Sequence, residues 1–588
     1  MTIKKKYCLV TTADERTWPN NKPILFLGEW CKRFSRKEKW IKLDSQTLKY
    51  HWDDRDKLRK DYGYLQEIHE VLLEDLSEQL NRIHKVNYSI RYWRILIGPW
   101  LGYFIQALFD RWSMLKRSLE EYDIDSCQIL NRDINSIVPV DMKHFNCLFV
   151  DDKWNEAVYG QLLHSCAGSR MNITSINAFS SNSSLSSKIL SYTRSVDALK
   201  FLLSKLSGYI TRKRDYFFIS SYIPLVTQFK LQVRLNQMPT FWSSPQINYG
   251  DIDTCQRKWV LNNSKSLDEF IKVASQFIPN HIPIAYIEGY KSLQQGVREV
   301  KWPKEPKAIF TSNAHIDDEV FKAWTAEMTE NGTPFIIGQH GGHFGMTPFA
   351  FYEEHQIDIS DKFLSWGWSN SKNSKIKPFG NIKLLNNQLK YNPKGDALMI
   401  GVSMPRYSYH LYAALISSQW LSYFNDQCGF MKVLPQTLRK KILVRLYSND
   451  YGWDQKLRWE NEFSDLKFDL GRDPIKALLE NSRLCIATYN ATSYLETLTW
   501  DMPTIVFWNE EHWELNSDSK PYFDLLLDVG IFHTSPQSAA QKIIEIWDDI
   551  DSWWLSVSVQ NARRKFCEQY TRDIDRPVDQ LKKIFTAN

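Results

Sequence analysis

Short apolar runs that end in polar turns, each followed by a stretch of helical period, constrain this chain more than any other feature. In the C-terminal half, Ala397 to Val402, Ile442 to Val444, Leu484 to Ala487 and Thr504 to Trp508 have strand character. Helix-period segments stand among them at Leu411 to Phe424, Pro474 to Asn481 and Tyr494 to Leu498. Such alternation predicts a mostly parallel sheet covered by helices. The earlier part repeats the pattern less regularly. Tyr7 to Thr12, Ile24 to Leu27, Cys147 to Val150, Tyr216 to Ile219, Lys230 to Val233, Ile282 to Ile287, Ala308 to Phe310 and Pro334 to Ile337 read as strands. Leu65, Ile68, Leu72, Leu76, Leu80 and Ile83 recur every three or four residues and mark an amphipathic helix between Asp53 and His84. Further helices are expected at Tyr92 to Tyr122, Asp318 to Thr329, Ala539 to Trp547 and Val557 to Tyr570. Ser169 to Ser187, rich in Ser and Asn, predicts a surface loop.

A break falls between Lys375 and Lys394, where Pro, Gly, Asn and Lys replace periodic apolar residues. It divides the chain into an α/β domain with helical insertions over 1–385, a Rossmann-like domain over 386–545 and terminal helices over 546–588. In open α/β sheets ligands gather beyond the carboxyl ends of the strands, so functional residues are expected just after strands and in the cleft between lobes.

A net charge of +6 spread over 588 residues, with only short basic runs, gives no support for nucleic acid as the ligand. It suits an anionic small molecule or a peripheral position at an anionic membrane surface. Nine cysteines without CxxC spacing argue against a disulfide framework and a Cys-rich zinc site. The longest apolar stretch, Ile95 to Phe109, is broken by Gly98-Pro99 and falls short of the roughly 20 residues that span a bilayer. The expectation is a cytoplasmic protein, at most peripheral at the inner face of the membrane. The 23 Trp, 28 Tyr and 31 Phe fit either a large core or a carbohydrate site, because aromatic rings serve both.

Two turns carry chemistry. Gly338-Gln339-His340-Gly341-Gly342-His343-Phe344-Gly345 follows the strand ending at Ile337, and four glycines in eight residues let the backbone approach a ligand. His340 at the strand end suits acid–base work or a donor phosphate; a tight turn with a structural histidine is the plainer reading. Downstream, Glu354 and Asp358 are candidate catalytic carboxylates among charged residues that equally suit a solvated face. The second turn, Thr488 to Ser493, precedes a short helix. Asn490, Thr492 and Ser493 would offer a phosphate the helix start, with Glu496 near a ribose, and Ser493 with Glu496 also reads as a capping box. Arg406 and Arg445, after neighbouring strands, would meet the same anion. The spacing of His340, His343 and His355 matches no common zinc pattern, and Asp123-Ile124-Asp125 and Asp251-Ile252-Asp253 are weak DxD matches, so no metal is expected. No P-loop, GxGxxG, GxSxG or HExxH is present.

Several of these phrases together resemble a known family. Thr11-Thr12-Ala13-Asp14-Glu15, Phe26-Leu27-Gly28-Glu29-Trp30-Cys31, Gly338-Gln339-His340-Gly341-Gly342, Leu364-Ser365-Trp366-Gly367-Trp368, Asn490 to Glu496 and Trp547 to Ile550 with Trp553-Trp554 are similar to a transferase family of O-antigen and other bacterial surface-polysaccharide loci. The resemblance spans nearly the whole chain. It implies a GT-B-like glycosyltransferase: two Rossmann-like lobes, an acceptor on the 1–385 side, a nucleotide-sugar donor in 386–545, and no cofactor. The Gln-His-Gly turn resembles enzymes with CMP- or CDP-linked donors. The implied reaction moves a sugar, by preference a CMP-linked ulosonic acid such as Kdo or a nonulosonic acid, onto a glycan or lipid-linked glycan. In it Thr492, Ser493, Arg406, Arg445, Gly341 and Gly342 hold the donor and His340 faces them. Transfer of a polyol phosphate from a CDP-linked donor and a non-catalytic glycan-binding scaffold are the alternatives.

Overall fold

A computed structural model describes residues 5–166, 168–177, 203–385 and 387–587. Among them the apolar runs assemble into three sheets in which every ladder is parallel. The first joins β1 (Tyr7–Val10), β2 (Ile24–Phe26), β3 (Ser45–Thr47), β4 (Ile124–Asn131) and β5 (Asn172–Asn177) in the order β3-β2-β1-β4-β5. The second runs β10-β9-β8-β7-β6, from β6 (Phe217–Phe218), β7 (Ile309–Thr311), β8 (Phe335–Gly338), β9 (Lys362–Ser365) and β10 (Ile376–Pro378). The third, β13-β12-β11-β14-β15-β16, is built from β11 (Asp396–Ile400), β12 (Ile442–Arg445), β13 (Lys467–Asp469), β14 (Ser482–Ala487), β15 (Thr504–Phe507) and β16 (Phe532–His533).

The α/β class and the paired lobes with a helical C-terminal segment match the GT-B-like expectation. The pair that faces across a crevice is the second and third sheets. Residues 7–177 add a sheet of their own, so the stretch 1–385 carries two. In the first and third sheets the strand order reverses beside the founding strand, which opens a crevice at β1/β4 and at β11/β14. At the first of these, Gly28 carries the Trp30 ring where a Cβ would stand, 2.2 Å from the nearest ring carbon, and the indole N–H donates to Thr11 O.

Several sequence readings change. Cys147 to Val150 is not a strand: Asp141 caps a helix, Met142–Leu148, that absorbs its first half. Lys230 to Val233 lies in the helix Leu225–Arg234, and Ile282 to Ile287 forms a 3-10 turn at Ile284–Tyr286 after Pro283. The helix expected from Leu411 begins only at Gln419. Its first residues instead form a strap, with an antiparallel bridge between Tyr412 and Ala350. Within the expected loop Ser169 to Ser187, Asn172–Asn177 is an edge strand of mostly exposed polar residues, which hides the two-residue period; residues 178–187 lie outside the described residues.

Two long helices, Arg55–His84 and Ile90–Glu121, pack together beside the sheets. No helix among the described residues is long and apolar enough to cross a membrane. Gly98 and Gly102 notch the second long helix. A Cβ on Gly102 would stand 1.8 Å from the Phe351 ring, and one on Gly98 2.8 Å from His355. The helix Phe351–Ile359 therefore crosses at close range and is fixed beside β8.

The strap ties the third sheet to the rest. Arg111, fully buried, donates to Ser408 O and Oγ at 2.8 Å, to Asn155 Oδ1 at 2.9 Å and to Asp110 at 3.1 Å. Gln106 accepts from the Leu411 N–H at 2.6 Å. At the other end, the helix Val557–Tyr570 packs on the third sheet's helices. The chain then crosses over to the second sheet, where the Arg572 N–H donates to Trp366 O at 2.8 Å.

Candidate functional site

The carboxyl ends of β8, β11 and β14 meet at one crevice of about 480 Å³. On the β8 side, Gln339 fixes the glycine turn from within. Its amide N–H donates to Gly341 O at 2.8 Å, and its Oε1 accepts from the Trp366 backbone N–H at 2.9 Å and from Trp368 Nε1 at 2.8 Å. The Trp366 indole closes the lock on Gln339 O at 2.9 Å. This explains why the Trp366-Gly367-Trp368 phrase accompanies the Gln-His-Gly turn: the two hold each other.

So fixed, the turn presses against the third sheet. Gly342 N–H donates to Thr492 Oγ1 at 3.0 Å. A Cβ on Gly342 would stand 2.4 Å from the Ala491 carbonyl carbon and 2.7 Å from Thr492 N, so only glycine fits there. The helix Thr492–Thr499 starts at this contact. Its cap is Ala491, without a side-chain cap bond, so its first-turn N–H groups remain available to an anion at the positive end of the helix. Asn490, 2% exposed, accepts from Tyr494 OH at 3.0 Å, and its Nδ2 has no protein partner among the described residues. Thr488 ties the base of the turn to Ile400 O at 2.7 Å.

His340 faces this helix start across the crevice. Its ring meets Tyr352 edge-on at 5.3 Å and Phe344 at 5.5 Å, and Tyr222 stacks over it at 6.3 Å. Nδ1 has no protein partner among the described residues. Burial, assisted by the charge of Lys383, pushes its pKa down to about 4, so the imidazole is neutral at physiological pH. His343 and His410 also line the crevice, and burial lowers each to about 3. His410 stacks on Tyr103 at 4.5 Å and lies 4.1 Å from the Tyr409 ring.

Sequence reasoning missed most of this wall. Seven tyrosines line the crevice, among them Tyr409 and Tyr412 of the strap and Tyr447 and Tyr451 beyond β12. The run Tyr407-Ser408-Tyr409-His410-Leu411-Tyr412, directly after a strand, was the available signal. Among the described residues, no Lys, Arg, Asp or Glu lines the crevice.

His340, Gly341, Gly342, Asn490 and Thr492 thus come together. The other expected residues do not join them. Arg406 is buried and spent: it donates to Tyr451 O at 2.9 Å, to Asp152 at 2.6 Å and to Trp30 O, tying the third sheet to the first. Arg445 pairs with Asp469 on the adjacent strand at 2.6 Å. Glu496 pairs with Lys383 at 2.6 Å, and the Ser493–Glu496 capping box does not form because Thr492 and Ser493 already lie inside the helix. Ser493 is buried behind the turn.

Glu354 and Asp358 line a separate cavity of about 300 Å³ on the far side of the helix Phe351–Ile359, together with Glu353. Burial raises all three carboxyls. Glu353 reaches about 8, and Glu354 is held by Tyr62 OH at 2.6 Å. No group of three or more metal-ligating side chains occurs among the described residues.

Residues 7–585 match the model of the LIC12162 family transferases. The chain belongs to that family. No curated protein matches this family member. Similar solved structures include a single-residue variant of the wall teichoic acid polymerase TagF, at 12% identity over 51% of this chain and 74% of that one, with a TM-score of 0.29. MurG of Acinetobacter baumannii follows at 8% identity, 64% and 100% coverage and a TM-score of 0.32. WaaG, a glycosyltransferase of lipopolysaccharide biosynthesis, stands at 11%, 51% and 82%, with 0.26.

Proposed function

We propose that this transferase moves a sugar from a nucleotide-linked donor to a hydroxyl of a surface-glycan acceptor in the β8/β11/β14 crevice. One observation carries the reading: the glycine turn bearing His340 abuts the uncapped start of the helix Thr492–Thr499, with a backbone N–H···Oγ1 bond of 3.0 Å between them. A donor phosphate suits the first-turn N–H groups and Asn490 Nδ2, and the tyrosine-lined walls suit base and sugar faces. The acceptor oxygen bonds to the anomeric carbon as the bond from that carbon to the phosphate oxygen breaks. Neutral His340 takes the hydroxyl proton, and the leaving phosphate keeps its charge at the helix start.

With Arg406 and Arg445 committed elsewhere, the phosphate and the carboxylate of a CMP-linked ulosonic acid lose the guanidinium partners expected for them. The phosphate half of the reading is what the geometry favours; the CMP-linked ulosonic acid remains the donor to test first. Ligands that bind the native state raise its melting temperature. A series with CMP, CDP, UDP, GDP and their sugars is expected to single out one base, CMP for the ulosonic acid donor. No shift with any of them would overturn the donor site. Phosphorus in the product would mark polyol-phosphate transfer instead.

A further inference from the structure

The helix Leu225–Arg234 is turned inside out. Its buried side is mostly polar: beside Leu231, Gln232 is 0% exposed, Gln228 6% and Thr227 3%. Gln228 accepts from Ser221 Oγ at 2.6 Å, and Gln232 bonds both the backbone and side chain of Thr240. Its outer side is apolar, with Val226 66% and Val233 59% exposed, and Phe229 half-buried between them in a shallow groove. Spacing of three and four residues puts these three on one outward stripe. A helix facing only water gains nothing from that arrangement.

Exposed apolar side chains are frequent in this part of the chain. Of the twenty large hydrophobic side chains exposed among the described residues, nine lie between 203 and 238. They include Leu206 and Tyr209 on the helical residues 203–210, at 55% and 75% exposure. Both helices flank β6, the edge strand of the second sheet, on opposite faces. Phe217 packs toward Trp242 and Trp302, and Phe218 toward Phe585 of the helix Pro577–Thr586, which packs on Leu225–Arg234. The rim of the groove is mostly basic, with Lys230, Arg234 and Arg576 against one exposed acid, Asp579. Between 203 and 238 stand six Lys and Arg against a single acid, Asp215, which is buried and accepts from the Arg212 N–H.

We propose that this face docks the protein on an anionic lipid bilayer, the apolar stripe entering the interface while the basic rim meets lipid phosphates. An apolar stripe rimmed by Lys230, Arg234 and Arg576, with Asp579 the one acid in the groove lining among the described residues, matches that surface on both counts. The placement gives docking a purpose. Tyr222, 42% exposed just before the helix, stacks over His340, so the mouth of the crevice opens beside the membrane where a lipid-linked acceptor would lie. That purpose rests on the transfer reading; the docking itself does not.

The test is cosedimentation of the full chain with vesicles of phosphatidylcholine, alone or mixed with phosphatidylglycerol, without donor or acceptor. Binding is expected only to the anionic vesicles and is expected to weaken with salt. Val226→Glu/Val233→Glu and Lys230→Glu/Arg234→Glu should each weaken it at least about tenfold at unchanged melting temperature. Equal binding to both vesicles, or variants that bind like the parent, would overturn the proposal. So would a parent dimer that Val226→Glu/Val233→Glu converts to monomer without any vesicle binding. Transfer to a lipid-free acceptor should persist in these variants, and its loss would count against the crevice reading.

Discussion

His340 combines three properties that a proton acceptor needs: a place at a strand end, a ring nitrogen free of protein partners among the described residues, and a neutral imidazole. Replacing it by Ala should lower kcat/KM by about 10²–10⁴-fold while leaving the melting temperature near that of the parent. Because burial holds its pKa near 4, the base form persists far below the ordinary histidine range. The acid limb of kcat/KM against pH is therefore expected closer to 4 than to 6.5, and a limb at 6.5 would place the proton on another group. At this scale the sequence was legible where placement is local. The strand ending at Ile337 puts the next residues at the crevice whatever the rest of the chain does, so His340 and Gly342 could be picked out. Arg406 and Arg445 could not be judged, because the partners that consume them, Asp152 and Asp469, come from other strands and helices. Nothing local tells a guanidinium that awaits a ligand from one already paired. Glu354 and Asp358 lie outside the crevice for a different reason: a helix has two sides, and Tyr352 took the one that faces His340.

Among the elements, strands with buried apolar runs were readable and short or polar ones were not. β8, β11 and β14 announce themselves, whereas β5 alternates Asn, Thr and Ser with two Ile and shows no pattern. The strap 403–418 reads partly as a helix start because its apolar residues fall at helical spacing. It is held in an irregular, non-helical form by tertiary bonds from Arg111 and Gln106 that outweigh local preference. Arg111→Met should reveal how much the strap depends on that anchor. It leaves Asp110 buried with a missing cation and frees Ser408, so a loss of about 3–5 kcal/mol is expected in denaturant unfolding. An unchanged midpoint would mean that the strap is held by packing alone.

Over the whole molecule, buried histidines set the response to acid. His281, His343 and His410 are lowered to about 3, and His84, His340 and His512 to about 4, in each case first by burial. A folded pKa below the unfolded value of about 6.5 means that the unfolded chain takes the proton first. The stability these groups contribute is full above about 6.5 and lost as pH falls toward 4, at about 1.4 kcal/mol per pH unit for each. Carboxyls raised by burial act in the opposite sense and offset part of this, Glu353 at about 8 and Asp426 at about 6, with Glu354 and Asp358 among the others raised. Thermal denaturation between pH 7 and 5 should show a steep fall in melting temperature, and a flat profile would contradict the burial of these rings.

The absence of ionised side chains from the described crevice wall reaches beyond the crevice. Fixed backbone dipoles in a walled cleft are screened little by dissolved ions, whereas lysines and arginines at an open surface are screened within about 10 Å at moderate ionic strength. Brine should thus strip the enzyme from its lipid support yet leave its grip on the nucleotide almost untouched, so that salt alone pulls apart where the protein sits and what it holds.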